Sequence, residues 1–209
     1  MSSPSTGVGA DAESRRVLNV GGNSKAISIP AYYTGWQHHL LDIDASVNPD
    51  VLCDARDMTR LAGTAYDAVY CSHNLEHYYR HDVPKVLRGF HHVLKEDGFA
   101  DIRVPDLAAV MSRVVAQGMD IEDVLYQSAA GPITVRDVIY GWGVEIERSG
   151  CDFFAHKTGF TQKSLHNALL AVFPWVYTGR NEPAFELRAL AFKNPPSPAY
   201  RELFRLPTA

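Results

Sequence analysis

The feature of this sequence that most constrains its fold is a series of short apolar runs, each followed by a turn of Gly, Asp, Ser or Pro. The runs span residues 16–20, 39–44, 50–54, 66–72 and 99–104. Between the last two, apolar residues recur at helical spacing after Asp82, which is placed to cap a helix. Strands that alternate with helices in this way form parallel βαβ units. The sequence therefore predicts an α/β protein with a mostly parallel sheet.

The polar residues of this series fall where a ligand site is expected. Right-handed crossovers place the carboxyl ends of all parallel strands at one edge of the sheet. In open α/β sheets that edge binds ligands. The turns at 21–23, 42–44, 54–56 and 72–74 hold the conspicuous Gly, Asp, Ser and His residues of this chain. We therefore expect the functional site at these turns.

The composition excludes several classes of protein. The chain has 209 residues, 46% of them hydrophobic, and a formal net charge of −4. That charge argues against a nucleic-acid partner, because such proteins concentrate basic residues. There is no run of about 18 apolar residues, so no membrane span is predicted. The three cysteines form no C-x-x-C pair, which favours a reduced, cytoplasmic protein.

Breaks in the pattern divide the chain into five segments. An α/β core is followed by a glycine-interrupted stretch, predicted to be an insert or lid, and then by a helix and a strand pair that complete the sheet. A polar leader and a proline-rich tail flank these segments. In chain order the segments are 1–15 (disordered leader), 16–118 (core), 119–158 (insert or lid), 159–193 (helix and strand pair) and 194–209 (tail).

The order of motifs in the core resembles that of class I S-adenosylmethionine-dependent methyltransferases. The segments that carry the resemblance are 18–23 (LNVGGN), 41–43 (LDI), 54–55 (DA), 66–70 (YDAVY), 75–77 (LEH) and 93–98 (VLKEDG). The nearest subgroup is the type 11-like one, whose fourth strand is followed by Leu-Glu-His. The resemblance implies a doubly wound, Rossmann-like methyltransferase fold with an antiparallel last strand. It also implies S-adenosylmethionine as the cofactor of residues 16–118.

The resemblance assigns cofactor contacts to the strand ends. Glycines in the first turn let the backbone approach the cofactor closely, because they lack a Cβ atom. An acid at the end of the second strand accepts hydrogen bonds from ribose hydroxyls; Asp42 fits this position, with Asp44 as the alternative. Asp54 and Ala55 correspond to the pair that meets adenine, although Asp54 could instead cap a helix. The predicted cofactor-binding set is Asn19, Gly21, Gly22, Asp42, Ile43, Asp54, Ala55 and Ser72.

Two histidines are candidates for chemistry. His73 directly follows the fourth strand, where donor and acceptor would meet, and is the first candidate for a general base; His156 is the second. His73, His77 and His81 are spaced by four residues, which on one helix would align three metal ligands. The predicted helix begins after His81, so no metal site is predicted.

The predicted function is methyl transfer from S-adenosylmethionine to a small-molecule or glycan acceptor. The alternative is a non-catalytic binding or scaffold protein on the same fold, because the first motif has Asn19 where the family often has an acid. A nicotinamide-dependent oxidoreductase is disfavoured. Its fingerprint requires glycines at 21, 23 and 26, and this chain has Asn23 and Ala26.

Overall fold

The described residues, 14–128 and 131–207 of a computed structural model, form a seven-stranded sheet and a separate two-stranded one. The strands of the large sheet are β1 (Arg16–Val20), β2 (Gln37–Asp42), β3 (Val51–Leu52), β4 (Tyr66–Ser72), β5 (Leu94–Pro105), β8 (Trp175–Asn181) and β9 (Glu186–Phe192). The small sheet pairs β6 (Val124–Ser128) with β7 (Gly131–Thr134). The order in the large sheet is β3-β2-β1-β4-β5-β9-β8.

Strand directions confirm the predicted fold class. β1 pairs in parallel with β2 and β4, β2 with β3, and β4 with β5. The last strand, β9, inserts between β5 and β8 and is antiparallel to both. The sheet is therefore mostly parallel with an antiparallel last strand.

The helices follow from the same pattern. The α-helices are α1 (Val83–Val93), α2 (Leu107–Gln117), α3 (Val135–Tyr140), α4 (Gly143–Ser149), α5 (Gln162–Leu170) and α6 (Pro198–Phe204). Short 3₁₀ helices cover Ala31–Tyr33, Ala45–Val47, Ala55–Arg60, Leu75–His77, Asp152–Phe154 and Glu182–Ala184. α1 begins directly after Asp82, as predicted, and ends where β5 starts.

Both faces of the sheet are covered, because successive side chains of a strand point to opposite faces. Leu18 and Val69 belong to a core cluster with residues of α1 and α5. Their neighbours Val17 and Ala68 belong to a second cluster on the other face, with Tyr33 and α6. This two-sided burial explains why β1 and β4 are apolar almost throughout.

The segment predicted as a tail, 194–209, contains α6. Tyr200 is buried, and its ring lies 4.9 Å from that of Phe99, centroid to centroid. Aromatic residues at 200 and 204 share one helix face, so α6 can cover the sheet despite the prolines around it. Residues 1–13 of the predicted leader lie outside the described residues.

The segment 119–158 lies apart from the large sheet and carries β6, β7, α3 and α4. A third apolar cluster fastens its first half to α2 and to the start of β9; its buried members are Val110, Leu125, Val135, Val138 and Phe185. Along the described residues, no helix combines the length and the apolar character needed to cross a membrane.

Candidate functional site

A cleft of about 400 Å³ opens at the carboxyl ends of β1, β2 and β4, within the range typical of small-molecule sites. It lies at the sheet edge where the polar turns after the strands predicted the functional site. Of the predicted cofactor-binding residues, it brings together Gly21, Asp42, Ile43 and Asp54. The other four, Asn19, Gly22, Ala55 and Ser72, are not on its wall.

The turn after β1 is packed tightly. Gly21 has a φ of +68°, and a Cβ atom there would lie 2.0 Å from Nδ2 of Asn74. A Cβ atom on Gly22 would lie 2.2 Å from Nδ2 of Asn19, which is itself buried. The Asn19 side chain therefore packs against the turn and occupies the space that a Cβ atom on Gly22 would need. Only Gly21 of these three presents its backbone to the cleft.

The two acids after β2 have different surroundings. Asp42 accepts hydrogen bonds from the backbone N–H of Asn23, at 3.2 Å, and of Asp44, at 3.1 Å. Asp44 caps the following 3₁₀ helix, because its Oδ1 accepts the Ser46 N–H at 2.8 Å. Both side chains border the cleft. Each carboxylate therefore accepts local backbone N–H groups and also borders the cleft.

Asp54 caps a 3₁₀ helix and also borders the cleft. Its Oδ1 accepts the Arg56 N–H at 2.9 Å, so it caps the 3₁₀ helix after β3. It also pairs with the Arg56 guanidinium, whose Nη1 lies 3.6 Å from Oδ2 of Asp82. Burial raises the pKa of Asp54, but the hydrogen bonds with Arg56 outweigh burial and lower it. The carboxylate is thus ionised where it borders the cleft.

The cleft wall is predominantly acidic. Five carboxylates and three cationic side chains line it; they are Asp42, Asp44, Asp54, Asp82 and Asp152, against Arg56, Lys157 and the protonated His73. Like charges around a low-dielectric cavity attract ligands of the opposite sign. The electrostatics of the cleft favour a ligand that carries positive charge.

His73 lies on the cleft wall, as predicted, but its surroundings do not suit a general base. Its Nε2 donates to Oε2 of Glu186 at 3.1 Å, and its Nδ1 lies 3.6 Å from Oε1 of Glu76. Burial lowers the pKa of His73, but the two carboxylates outweigh burial and raise it to about 10. In this structure Nε2 is thus engaged by Glu186, and Nδ1 faces the Glu76 carboxylate. The general-base role of His73 stays a prediction, and it would require His73 to leave Glu186.

His156 does not line the cleft. Its Nδ1 donates to the Val138 carbonyl at 2.9 Å, and its Nε2 lies 3.9 Å from Oε1 of Glu76. Burial lowers the pKa of His156. From this half-buried position it does not reach a ligand in the cleft. Its neighbours Asp152–Phe154 and Lys157 form the wall there instead.

The three histidines spaced by four residues do not share a helix. His73 has a φ of +50°, His77 ends a 3₁₀ helix, and His81 precedes α1. Sequence reasoning missed Asn74, which packs against Gly21, and Glu76, which is buried among histidines. The Leu-Glu-His segment was the available signal for Glu76, but nothing local showed that its carboxylate is buried.

Comparisons with known proteins agree with this geometry. Residues 7–101, less than half of the chain, match the family model of a methyltransferase domain. No match was found among curated proteins. A SAM-dependent methyltransferase from Archaeoglobus fulgidus is 14% identical, with 86% of each chain covered and a TM-score of 0.52. The PH0226 protein from Pyrococcus horikoshii OT3 is 12% identical, with 87% of this chain and 83% of that chain covered and a TM-score of 0.56.

The CMeT domain of the citrinin polyketide synthase is also similar, at 12% identity and a TM-score of 0.54, with 88% of this chain and 48% of that chain covered. At such low identity these likenesses establish a shared fold. Residues 7–101 are therefore similar to a methyltransferase domain, and the described residues have a Rossmann-like methyltransferase fold. The cofactor that the domain match and the fold support is S-adenosylmethionine.

Proposed function

We propose that this protein transfers a methyl group from S-adenosylmethionine to a small-molecule or glycan acceptor, and that it belongs to the type 11-like subgroup with Leu-Glu-His. The observation that carries the proposal is the acidic cleft at the carboxyl ends of β1, β2 and β4. S-adenosylmethionine has a sulfonium and an amino group, both positively charged. A cleft with five carboxylates and three cations has a negative balance that suits such a ligand.

The residues present fit the cofactor. Asp42 stands at the end of β2, where its carboxylate can accept two hydrogen bonds from a ribose. Gly21 keeps the first turn free of a side chain, so that the backbone borders the cleft. Ile43 and Asp54 complete the predicted contacts on the cleft wall. The other four predicted residues would contact the cofactor through their backbone or would support these turns; they are Asn19, Gly22, Ala55 and Ser72.

Bound S-adenosylmethionine supplies a methyl group on a sulfonium, which is already activated towards displacement. The contribution of the chain is to hold donor and acceptor in line. Positioning of this kind corresponds to about 7–11 kcal/mol of the barrier in well-oriented reactions. A general base is needed only when the acceptor must lose a proton, as a hydroxyl does. A neutral amine or an anionic acceptor can attack without one, so transfer to such acceptors does not depend on a proton-accepting His73.

The acceptor is expected at the outer wall, where residues of the 119–158 segment meet the loop after β4. Phe153, Phe154, Tyr79 and Lys157 all line this part of the cleft. The ammonium of Lys157 lies 5.7 Å from the centre of the Tyr79 ring. Aromatic faces with a nearby cation suit a compact acceptor that enters a cavity. This geometry supports the choice of a small molecule or glycan.

The test has two stages. Calorimetric titration with S-adenosylhomocysteine should show one site per chain, and its absence would overturn the cofactor assignment. A panel of hydroxyl, amine and glycan acceptors is then incubated with radiolabelled S-adenosylmethionine, and transfer of label to an acceptor supports catalysis. Binding without transfer to any acceptor would favour the non-catalytic alternative.

A further inference from the structure

Three side chains converge next to the cleft without a role in the proposed methyl transfer. Glu76, His77 and His156 each offer one ligand atom, and these atoms all lie within 4.8 Å of one another. Oε1 of Glu76 is 3.9 Å from Nε2 of His156. The rings of His77 and His156 are 5.0 Å apart, centroid to centroid. We call this group the Glu76 cluster.

The carboxylate of Glu76 is buried without a hydrogen bond to any described residue. The residue is 1% exposed, and neither carboxylate oxygen has a hydrogen-bond partner among residues 14–128 and 131–207. His73 approaches to 3.6 Å, which is too long for a hydrogen bond, while its Nε2 is bonded to Glu186. Burying a charged group without hydrogen bonds costs free energy. A cation that contacts the carboxylate directly would remove this cost.

The two imidazoles are held so that each can act as a ligand. Nδ1 of His77 donates to the Ala155 carbonyl at 3.1 Å, and Nδ1 of His156 donates to the Val138 carbonyl at 2.9 Å. Because a carbonyl only accepts hydrogen bonds, Nδ1 of each ring must carry a proton. A neutral imidazole has one ring N–H, so its other nitrogen is unprotonated. Nε2 then keeps its lone pair. Carbonyls that fix a histidine in this way are typical of metal sites, where they orient the ring.

The backbone around the cluster is also fixed. The Glu76 carbonyl accepts the N–H groups of Lys157 and Thr158, at 2.9 and 3.1 Å. The N–H of His156 donates to the Tyr140 carbonyl at 3.0 Å. Gly141 allows this contact, because a Cβ atom there would lie 2.0 Å from the Phe154 oxygen. Two segments distant in the chain are thus joined around the Glu76 carboxylate.

From this geometry we propose that Glu76, His77 and His156 bind a divalent transition-metal ion of the Zn²⁺ class. Two imidazoles and one carboxylate form a known zinc ligand set, with the fourth position open to water. The nitrogen ligands favour zinc over magnesium or calcium. Ligands at about 2.0–2.2 Å from zinc lie about 3.4 Å apart, so only a modest contraction is needed. His77 also borders the cleft, from which a water ligand would reach the ion.

The experiment measures metal binding and does not depend on methyl transfer. The full chain is treated with chelator, dialysed and titrated with Zn²⁺ in a calorimeter, and separately with Co²⁺ while visible absorption is recorded. We expect one ion per chain and the intense absorption of four-coordinate Co²⁺. In nitrogen-resolved NMR spectra of the histidine side chains, Zn²⁺ should shift Nε2 of two histidines and leave their Nδ1 protonated. If the wild-type chain binds no stoichiometric Zn²⁺, the proposal is overturned.

Variants locate the site. Glu76→Gln and His156→Asn should each lower Zn²⁺ affinity by more than about 100-fold, since loss of even a supporting group costs about 10–100-fold. His81→Asn is the matched control, because the side chain of His81 is 76% exposed and lies outside the Glu76 cluster. Circular dichroism verifies that each variant is folded. If a variant is not folded, the NMR spectra of the wild-type chain with Zn²⁺ show whether histidines bind the ion through Nε2. Zn²⁺ binding that survives both substitutions, or NMR shifts of other histidines, would refute the proposal.

Discussion

The carboxylate of Asp42 accepts the backbone N–H of Asn23 at 3.2 Å, which links the end of β2 to the turn after β1. Two turns predicted to contact the cofactor are thereby joined through the residue predicted to bind its ribose. Asp44 takes no part in this link, because its carboxylate caps the next 3₁₀ helix.

Replacing Asp42 by Ala should weaken S-adenosylhomocysteine binding by about 1–3 kcal/mol, the range for a hydrogen-bonded charged group. Calorimetric titration measures the change. Asp44→Ala is the matched control and should leave the affinity nearly unchanged. The reverse order of effects would move the ribose contact to Asp44, and no effect in either variant would remove the assignment.

The turn after β1 allows a second prediction, with a control of the same backbone conformation. Gly21 and Gly35 both have positive φ angles, of +68° and +84°. An Ala at either position therefore carries a similar backbone cost, about 1–2 kcal/mol. Only Gly21 is crowded, by the side chain of Asn74. Gly21→Ala should lose more unfolding free energy than Gly35→Ala and should also weaken S-adenosylhomocysteine binding. Equal losses in urea denaturation would show that Asn74 moves aside.

The segment 119–158 was predicted to be a mobile cover, and the structure divides it. Its first half packs through Val135 and Val138, whereas none of residues 142–154 is buried. Regions with few buried contacts open most readily. In hydrogen exchange, amides of 142–154 should exchange faster than those of 135–140 in the free protein. Their protection should rise when S-adenosylhomocysteine and an acceptor are both present, and uniformly strong protection in the free protein would contradict a lid.

Acid stability provides a fourth prediction, at Asp50, which directly precedes β3. Burial raises the pKa of Asp50, but hydrogen bonds from Lys25 Nζ and the Leu40 N–H outweigh burial, so the pKa falls below 3.8. A depressed pKa in the folded state contributes stability above the unfolded pKa, and that stability is lost as the pH falls. Asp50→Asn should therefore lose less unfolding free energy than wild type when the pH drops from about 5 to about 3.

Urea denaturation at several pH values measures this difference. Asp57→Asn is the control, because Asp57 lies on the surface and pairs only with Arg60, at 3.5 Å. Its acid sensitivity should match that of the wild type. An identical pH dependence in Asp50→Asn and wild type would show that the bonds to Asp50 persist in the unfolded chain or contribute nothing.

The sequence predicted the fold where burial is two-sided and local patterns are strong. Tyr66–Ser72 was identified to the residue as a strand, because a strand covered on both faces is apolar throughout. The start of α1 was predicted from Asp82 and Pro84, which are local signals. The second strand was predicted at 39–44, later than the observed β2, because half-exposed residues obscure its periodicity. The helix α6 was not predicted, because prolines obscure its pattern. α6 depends on contacts with Phe99, about a hundred residues away in the chain.

The site was predicted in part for the same reason. Asp42 and Gly21 follow strands directly, so their strand ends determine their position. The Glu76 cluster was not predicted, because His77 meets the Ala155 carbonyl across 78 residues. No local pattern specifies which of nine histidines will meet a buried carboxylate. Likewise, the proximity of Glu186 to His73 comes from β9, and it changes the expected chemistry of that histidine.

The last prediction decides between the two roles of His73. In the structure its Nε2 donates to Oε2 of Glu186, which joins the turn after β4 to the start of β9. His73→Asn should therefore lower the unfolding free energy by about 1–2 kcal/mol, near the lower end of the range for hydrogen bonds to charged groups. With an acceptor found by the panel, turnover should fall less than about tenfold, whereas loss of a general base costs about 10²–10⁴-fold.

Glu186→Gln removes the same bond from its other end and should destabilise the protein similarly. The double variant should then lose less than the sum of the two single losses, because both remove one interaction. A loss of turnover above about 100-fold in His73→Asn, with S-adenosylhomocysteine affinity intact, would restore the general-base role. That result would require His73 to leave Glu186 when the acceptor binds, since both of its nitrogens face carboxylates in this structure.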